Sequence, residues 1–325
     1  KKLQNLLKEK DIDIFVINRS DEYLNEYISP NAERLNFISN FSGSAGRAII
    51  TQTDAFLYVD GRYTFQANTQ INTKEIQAKH LNSFWTDLEK ILLEKGYKIA
   101  LDPTLHSIVE IEKVEKMLEN STSQLQLIDK NFVDLIWENQ PKTQYTDIFD
   151  HPTSFAGQGR REKLDILKKF LDQNEIDHYF VSGLDNIAWL LNLRADDIKY
   201  TPLLYSYLLI SKNNKHSLYI KESAMPEILK KEIQTLININ NIENIRSIFN
   251  NINSSESIGL DYNSTTYYFL DLLRKQKINT KNLANPCILL KAIKNETELD
   301  GAKKAHIRDG VSITKYIYWL KNIMD

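Results

Sequence analysis

The residues that could carry chemistry are scattered along the chain instead of forming one motif. Residues 42–46 resemble a G-x-S-x-G nucleophile turn, but serine stands at the first glycine position, so we interpret them as a tight turn. His306 and Asp309 lie three residues apart on a predicted helix and could face one metal ion, yet two ligands do not make a closed site. Asp196 and Asp197 form a carboxylate pair in a predicted loop, and without a third ligand we interpret both as solvated.

The other reactive residue types also give no self-contained site. Cys287 is the single cysteine, which excludes a disulfide within the chain and a cysteine-based metal site, and we interpret it as a small buried hydrophobic residue. His178 lies in a predicted strand over residues 176–181 and is interpreted as a packed side chain. The sequence has neither a G-x-x-x-x-G-K-[ST] loop nor an H-E-x-x-H motif. We therefore predict no catalytic residue and no metal ligand in this chain.

Composition excludes several classes of protein. The 325 residues include 41 Lys and Arg against 43 Asp and Glu, a net charge of −2, so the basic excess expected of a nucleic-acid-binding protein is missing. No run of 18 apolar residues is present, and we predict no membrane span. A hydrophobic content of 42% is enough for folded cores, and a single cysteine fits a reducing compartment.

The elements that must position these residues follow from hydrophobic spacing. Leu3, Leu6 and Leu7 have the spacing of a helix. Apolar runs of strand type occupy residues 11–17, 35–41, 47–51, 55–60 and 98–103. The three-residue connection between the third and fourth of these runs predicts an antiparallel hairpin.

Two capping boxes predict helix starts. Thr86 with Glu89 is the first, and Gly96 is placed to end that helix. Asn295 with Glu298 is the second and begins a C-terminal helix. One face of that helix is apolar and needs a partner, because its residues follow the i, i+3, i+4, i+7 spacing: Ile313, Tyr316, Ile317 and Leu320.

The chain also repeats its own pattern. Residues 170–181 follow the pattern of residues 6–17, and residues 189–192 follow that of residues 37–40. Further repeats are a hairpin over 205–210 and 216–220, and residues 258–262, which match 99–103 at an offset of 261 − 102 = 159. The repetition predicts two tandem α/β domains, each a mixed sheet packed with helices, with residues 140–159 as the linker.

Five strings of residues together resemble one known family. Residues 41–46 and 59–67 resemble the first domain of three-domain Xaa-Pro aminopeptidases (aminopeptidase P), and residues 131–137 resemble the segment that closes it. Residues 184–194 resemble the signature of the second domain, and residues 291–310 resemble the entry to the catalytic "pita-bread" domain.

The resemblance divides the chain into three parts. It implies creatinase-like N-terminal domain I at residues 1–142 and creatinase-like domain II at residues 143–288. Residues 289–325 are then the start of a truncated pita-bread metallopeptidase domain, of which the chain holds the first helix.

The resemblance also implies a function. Members of this family are proline-specific metalloaminopeptidases that release the N-terminal residue preceding proline from short peptides. Their catalysis uses two divalent metal ions, usually Mn²⁺, held by two Asp, one His and two Glu of the third domain. These ligands would lie beyond residue 325, so this chain alone is expected to be inactive. The resemblance further implies a cytoplasmic protein, contact with its own catalytic domain, and a possible homodimer at full length.

Arg62 is the candidate substrate-binding residue. It stands in the sequence Asp-Gly-Arg-Tyr directly after a predicted strand, where its guanidinium could bind a peptide carbonyl or carboxylate. The alternative is a local ion pair with Asp60 that holds the loop. Trp189 and Arg194 are second candidates, although Trp189 is interpreted as a core residue, and Ala195 replaces the glycine expected in the family.

A second class of function stays open at this point. Peptidase-like N-terminal domains also occur in non-catalytic protein-binding modules of histone-chaperone type. The near-neutral charge and the Asp-Gly-Arg-Tyr sequence favour the peptidase. Prolidases and creatinases fit less well, because they have one N-terminal domain. The sequence downstream of residue 325, with or without the five metal ligands, would separate these classes.

Overall fold

The computed structural model describes residues 1–323, and within them the first half of the chain (residues 1–142) forms one six-stranded sheet. Its strands β1–β6 are Ile14–Asn18, Gly46–Thr51, Ala55–Val59, Gln77–His80, Lys98–Leu101 and Gln124–Leu127. Its helices α1–α5 are Lys2–Glu9, Arg34–Ser39, Thr64–Gln70, Phe84–Glu94 and Ile108–Leu118.

The second half (residues 143–288) forms another six-stranded sheet and a small two-stranded one. Strands β7–β14 are Phe149–Asp150, His178–Val181, Leu193–Arg194, Tyr207–Ser211, Ser217–Ile220, Asn238–Asn241, Ser257–Leu260 and Asn279–Asn282. Helices α6–α10 are Thr153–Ala156, Arg160–Gln173, Leu184–Leu191, Glu227–Gln234 and Tyr267–Lys275. Helix α11, Pro286–Ala292, crosses the end of this half, and α12, Glu296–Ile323, follows it. The last two residues of the predicted segment 289–325 lie outside the described residues.

The two large sheets have the same topology. The strand order is β4-β3-β2-β1-β5-β6 in the first and β12-β11-β10-β8-β13-β14 in the second. In each, the central strand pairs antiparallel with a hairpin on one side and parallel with the next strand on the other. The predicted duplication, the mixed sheets and the α/β class are therefore confirmed.

Burial on both faces explains why the central strands are apolar throughout. Along β1, Ile14 and Val16 join one hydrophobic cluster, whereas Phe15 and Ile17 join another on the opposite face. The cluster that contains Val16 continues into the second half and includes Phe180. Since fully burying one such side chain contributes about 1.5–3 kcal/mol, this shared core couples the two halves energetically.

Residues 35–39 are helical, so the strand predicted over residues 35–41 is wrong. Helix α2 spans Arg34–Ser39 and ends at Asn40, which has a left-handed backbone with φ of 61°. The matching helix α8 also ends at an asparagine, Asn192, with φ of 50°. Asparagine tolerates this conformation better than most residues do. The repeat seen in the sequence is therefore real, but it consists of two helix ends.

Only one of the two predicted capping boxes forms. Thr86 lies inside α4, which begins at Phe84, and Gly96 does not end that helix in a left-handed conformation. At the first residue of the helix, the buried Phe84 ring packs against Tyr58, 5.3 Å away and perpendicular. The box at Asn295 is confirmed, with reciprocal hydrogen bonds of 3.0 Å to Glu298.

Residues 140–159 are more than a linker. Strand β7 pairs with β9, Ile148 is buried, and its amide donates to Ala224 O at 2.7 Å. These contacts are tertiary and leave no local sequence signal. The glycines and prolines alone therefore predicted an interdomain linker. From Thr146 onward this stretch packs with the second half, whereas Gln140 and Thr143 still form hydrogen bonds with Asn31 of the first half.

The two halves meet through equivalent segments. Ile108 N donates to Thr265 O, and Tyr267 N donates to His106 O, both at 3.0 Å. Ile108 and Tyr267 are counterparts at the offset of 159, and so are His106 and Thr265. The second bond therefore repeats the first with the two halves exchanged. The same exchange relates two further bonds, Val109 N to Tyr262 O at 3.3 Å and Tyr268 N to Pro103 O at 3.0 Å. The junction therefore has an approximate two-fold axis.

Candidate functional site

The end of β3 carries a short turn that fixes Arg62. The strand ends at Val59, and Gly61–Tyr63 form one 3₁₀ turn. The Asp60 carboxylate caps this turn, because its Oδ1 accepts from Arg62 N at 3.0 Å and from Arg62 Nε at 2.8 Å. We call residues 60–63 the DGRY turn.

The guanidinium of Arg62 remains open to solvent. Its side chain is 71% exposed, and its Cζ lies 5.6 Å from the centre of the Tyr63 ring. Its two Nη groups have no hydrogen-bond partner among residues 1–323. The bond to Asp60 raises the pKa of Arg62 and lowers the pKa of Asp60. The turn thus presents a permanent cation with two free donor groups, which suit a carbonyl or carboxylate.

Residues behind the DGRY turn hold it in place. Tyr63 Oη lies 2.8 Å from Ser44 Oγ, and Ser44 Oγ donates to Glu26 Oε1 at 3.0 Å. The hydrogen bond with Ser44 lowers the pKa of Tyr63. At Gly43, a Cβ would lie 2.2 Å from the Phe41 ring, so the glycine permits a close approach. Residues 42–46 are a supporting turn, as the sequence indicated.

Arg19, which was not among the residues predicted from the sequence, supports the same region. Its side chain is only 8% exposed. One Nη donates to Glu26 O at 2.6 Å and Ser44 O at 3.3 Å, and the other to Glu33 at 2.7 Å. Arg19 thus joins three segments that are separate in the chain. The only local sequence signal is an arginine placed directly after an apolar strand.

The second candidates, Trp189 and Arg194, lie away from the DGRY turn and serve packing. Trp189 is buried, and the Nζ of Lys163 lies 4.3 Å from the centre of its ring. Arg194 Nη1 donates to Ala188 O at 2.7 Å and to Leu193 O at 2.9 Å. Burial lowers the pKa of Arg194.

The carboxylates of Asp196 and Asp197 have different environments. Asp196 is exposed, as expected of a solvated group. Asp197 accepts from Thr146 N at 2.7 Å and from Tyr205 N at 2.9 Å, so its interpretation as solvated is wrong. Its hydrogen bonds join segments distant in the chain, which a reading of the local sequence does not detect.

The other histidines and the cysteine give no metal centre. His306 and Asp309 are exposed on α12. His178 is buried with its Nδ1 2.9 Å from Ser211 Oγ, and burial raises the pKa of Cys287 to about 12. Among the described residues, no group of three or more His, Cys, Asp or Glu side chains could hold a metal ion. The described residues therefore do not supply the set of two Asp, one His and two Glu that the resemblance implies for a two-metal site.

One further property concerns membranes. In the described part of the chain, no helix combines the length and the apolar character needed to cross a bilayer.

Comparison with known families agrees with this architecture. Residues 1–130 and residues 139–298 each match a family described as the creatinase/prolidase N-terminal domain. The fold and the matches together define a protein with two tandem creatinase-type domains.

Curated relatives extend the match to nearly the whole chain. A probable Xaa-Pro aminopeptidase P of Paracoccidioides brasiliensis is 33% identical over 99% of this chain and 54% of its own length. A probable Xaa-Pro aminopeptidase P of Sordaria macrospora is 34% identical over 98% of this chain and 54% of its own length. The chain thus spans about half the length of these relatives. It belongs to the creatinase/prolidase N-terminal domain family, in the two-domain arrangement of the Xaa-Pro aminopeptidases P that it resembles.

A solved structure shows the same fold. The X-prolyl aminopeptidase of Caenorhabditis elegans, described as a cytosolic enzyme with a di-nuclear active site, aligns with a TM-score of 0.88. The alignment covers 96% of this chain and 52% of that chain at 24% sequence identity.

Proposed function

We propose that this chain is the N-terminal portion of a cytoplasmic Xaa-Pro aminopeptidase, which releases the N-terminal residue preceding proline from short peptides. The proposal is supported by curated relatives of that name, matched over 99% of this chain. In this proposal, residues 1–142 and 143–288 are domains I and II, and residues 289–325 begin the pita-bread catalytic domain. The relatives do not favour the histone-chaperone alternative.

The two divalent metal ions, Mn²⁺ in this proposal, would be bound by residues beyond residue 325 and would supply an activated water when present. The chain's own contribution is to shape access to the substrate. Helix α12 leaves large apolar side chains uncovered, including Tyr316 and Trp319 at 58% and 54% exposure. Covering them by the catalytic domain would join the parts of the enzyme. A homodimer of the full-length protein is a separate proposal.

The observation that carries the substrate role is the pair of unpartnered Nη groups on the Arg62 guanidinium, within residues 1–323. Asp60 holds Nε and leaves two Nη groups unpartnered within residues 1–323. The rigid turn reduces the entropy that a long side chain would lose on binding. We propose that Arg62 binds a carbonyl or carboxylate of the peptide, with Asp60 as its positioning residue.

Replacing Arg62 in the full-length enzyme tests this role. Arg62→Ala should lower kcat/KM on an Xaa-Pro peptide by about tenfold or more, because a charge-assisted hydrogen bond contributes about 1.5–3 kcal/mol. Arg62→Lys should restore part of the activity. The melting temperature should barely change, since the side chain is 71% exposed.

Arg161→Ala is the matched control, because Arg161 is also an exposed arginine. Unchanged kcat/KM in Arg62→Ala would remove the substrate role. A fall of several degrees in melting temperature would instead assign Arg62 to holding the loop with Asp60.

The location of the active site needs its own assay. The 325-residue chain, supplied with Mn²⁺ and an Xaa-Pro peptide, should show no turnover. Turnover comparable to that of the full-length enzyme would contradict a catalytic site beyond residue 325.

A further inference from the structure

A cavity of about 250 Å³ lies between the two halves of the chain. Its wall combines residues within 21–31 of the first half with residues within 205–207 and 242–245 of the second. The DGRY turn does not line it, so this is a different part of the molecule from the one around Arg62. We call it the tyrosine cavity, because four tyrosines belong to its wall: Tyr23, Tyr145, Tyr205 and Tyr207.

The four tyrosine rings are in contact with one another. Tyr23 stacks on Tyr205 at 5.1 Å and on Tyr207 at 4.7 Å, and Tyr145 meets Tyr205 edge to face at 6.1 Å. Tyr205 and Tyr207 are buried, whereas Tyr145 is 37% exposed and Tyr23 is half-buried. A ligand from solvent therefore reaches the rings of Tyr145 and Tyr23. Aromatic rings of this kind attract cations through their negative faces.

The charged groups in the wall of the tyrosine cavity are all acidic. Within residues 1–323, the wall contains Asp21, Glu22 and Glu243 and no lysine, arginine or histidine. Two of these carboxylates have ion-pair partners that lie outside the wall. Glu22 bonds Arg34 at 3.2 Å, and Glu243 bonds Lys221 at 2.6 Å. The side chains of Glu22 and Glu243 are still 39% and 66% exposed, so both carboxylates are accessible to a ligand.

Asp21, the third carboxylate, is held by neutral donors. It accepts hydrogen bonds from the main-chain N–H groups of Tyr23 and Asn25 and from Asn25 Nδ2, each at 3.0 Å. These bonds do not cancel its negative charge. Burial raises the pKa of Asp21, because the charged form is poorly solvated there. A cation in the tyrosine cavity would stabilise this charged form.

The chain itself places an ammonium group beside the tyrosine cavity. Lys221 Nζ lies 5.8 Å from the centre of the Tyr145 ring and bonds Glu243 Oε1 at 2.6 Å. An aromatic ring and a carboxylate of the wall thus already bind one cation together. A metal ion fits less well, because the described residues contain no group of three or more His, Cys, Asp or Glu side chains that could hold one.

We propose that the tyrosine cavity binds a small organic cation of the alkylammonium class. The rings of Tyr145 and Tyr23 contact the ligand, Glu22 and Glu243 pair with its charge, and Asp21 adds attraction from behind the wall. The cavity is smaller than the usual range for drug-sized ligands, about 300–1,000 Å³, so the ligand is small. The site goes beyond the proposed function and needs neither its metal ions nor its peptide substrate.

Tetramethylammonium chloride is the probe, because this cation has no hydrogen-bond donor and relies on charge and ring contacts. In ¹H–¹⁵N NMR of the 325-residue chain, the main-chain signals of Tyr145 and Glu243 should shift and saturate at millimolar probe. tert-Butanol, a neutral molecule of similar size, should bind about tenfold more weakly or less. Sodium chloride at the same ionic strength should give no saturable shift.

Two charge variants should change the affinity in opposite directions. Lys221→Gln removes the ammonium group that shares Tyr145 and Glu243, so the probe should bind about threefold more tightly. Glu243→Gln removes an accessible carboxylate and should weaken binding about threefold. The side chains of Lys221 and Glu243 are both partly exposed, so neither change disturbs the core.

Tyr145→Leu tests the aromatic contact and should weaken binding about fivefold. Tyr200→Leu is the matched control. Tyr200 is 91% exposed and has Lys199 Nζ 4.8 Å from the centre of its ring, but it does not line the tyrosine cavity. Its loss should leave the affinity unchanged.

Three results would overturn the proposal. They are the absence of a saturable shift up to about 100 mM tetramethylammonium, equal affinity for tert-butanol, or equal affinity in Glu243→Gln and Lys221→Gln. These two variants keep the test decisive if Tyr145→Leu fails to fold. The titrations contain no metal ion and no Xaa-Pro peptide. Their outcome is therefore independent of the assays that test the proposed peptidase activity.

Discussion

At the scale of single residues, His216 is a buried histidine that fits the fold only in its neutral form. It is 3% exposed, and its Nδ1 accepts a hydrogen bond from Ser211 N at 3.1 Å. A protonated ring could not accept this bond. Burial, together with the nearby Lys168, lowers the pKa of His216 to about 4.

This histidine predicts a loss of stability in acid. Between pH 6.5 and 4 the unfolded chain binds a proton that the folded chain does not, so stability falls as the pH is lowered. The contribution between pH 7 and 5 is about 2 kcal/mol. In His216→Asn, the amide oxygen can replace Nδ1 without titrating. The difference in unfolding free energy between pH 7 and pH 5, measured by urea denaturation, should therefore be correspondingly smaller than in the unaltered chain. An unchanged difference between the two pH values would contradict this role.

The residue scale also shows what sequence reasoning could reach at the candidate site. Arg62 was predicted because a strand end, a glycine and an arginine are adjacent in the chain. Asn18 and Glu110, which form a hydrogen bond near the end of β1, are 92 residues apart, and Arg47, which also bonds Glu110, is 63 residues from it. Such a cluster exists only after the sheet has formed, so no local pattern predicts it.

At the scale of elements, the two asparagines that end α2 and α8 have the same left-handed backbone conformation but different side-chain contacts. Asn40 provides a left-handed residue. Asn192 also accepts from the buried Lys163 Nζ at 2.8 Å and donates to Gln158 O at 2.9 Å. The duplicated position therefore gained side-chain contacts in the second half.

This difference predicts different costs for the same substitutions. Asn40→Ala should cost about 1–2 kcal/mol of unfolding free energy through backbone strain alone, and Asn40→Gly should be nearly neutral. Asn192→Gly should still cost about 2 kcal/mol or more, because Lys163 loses a hydrogen-bond partner. Urea denaturation measures all three, and Asn192→Gly as stable as the unaltered chain would refute the assigned contacts.

A helix or strand could be predicted from the sequence where its residue pattern is compatible with only one kind of secondary structure. The hairpin of β2 and β3 followed from alternating runs and a short connection. Residues 35–41 offered an apolar run that suits a strand or a helix equally, and Phe37 at 39% exposure shows that the run was not a continuously buried face. Here the local pattern does not distinguish helix from strand, so the outcome depends on tertiary packing. The same holds for the residue at which α4 begins.

At the scale of the whole molecule, the core shared by both halves predicts one cooperative unfolding transition. Ile111 of α5 is fully buried in this core together with Phe269 of α10. Ile111→Ala should lower the free energy of unfolding by about 2–5 kcal/mol. Native-state hydrogen exchange should show the same fall in β1 and in β8. A loss of protection confined to residues 1–142 would show that the halves unfold independently.

The reciprocal bonds at the junction have a consequence for assembly. Exchanged bonds such as Ile108 N to Thr265 O and Tyr267 N to His106 O are those of a symmetric homodimer built from one repeated domain. Two free copies would separate on dilution, because the associated fraction of a homodimer depends on its concentration. In a single chain the partner is always present at a high effective concentration, so this pairing survives dilution.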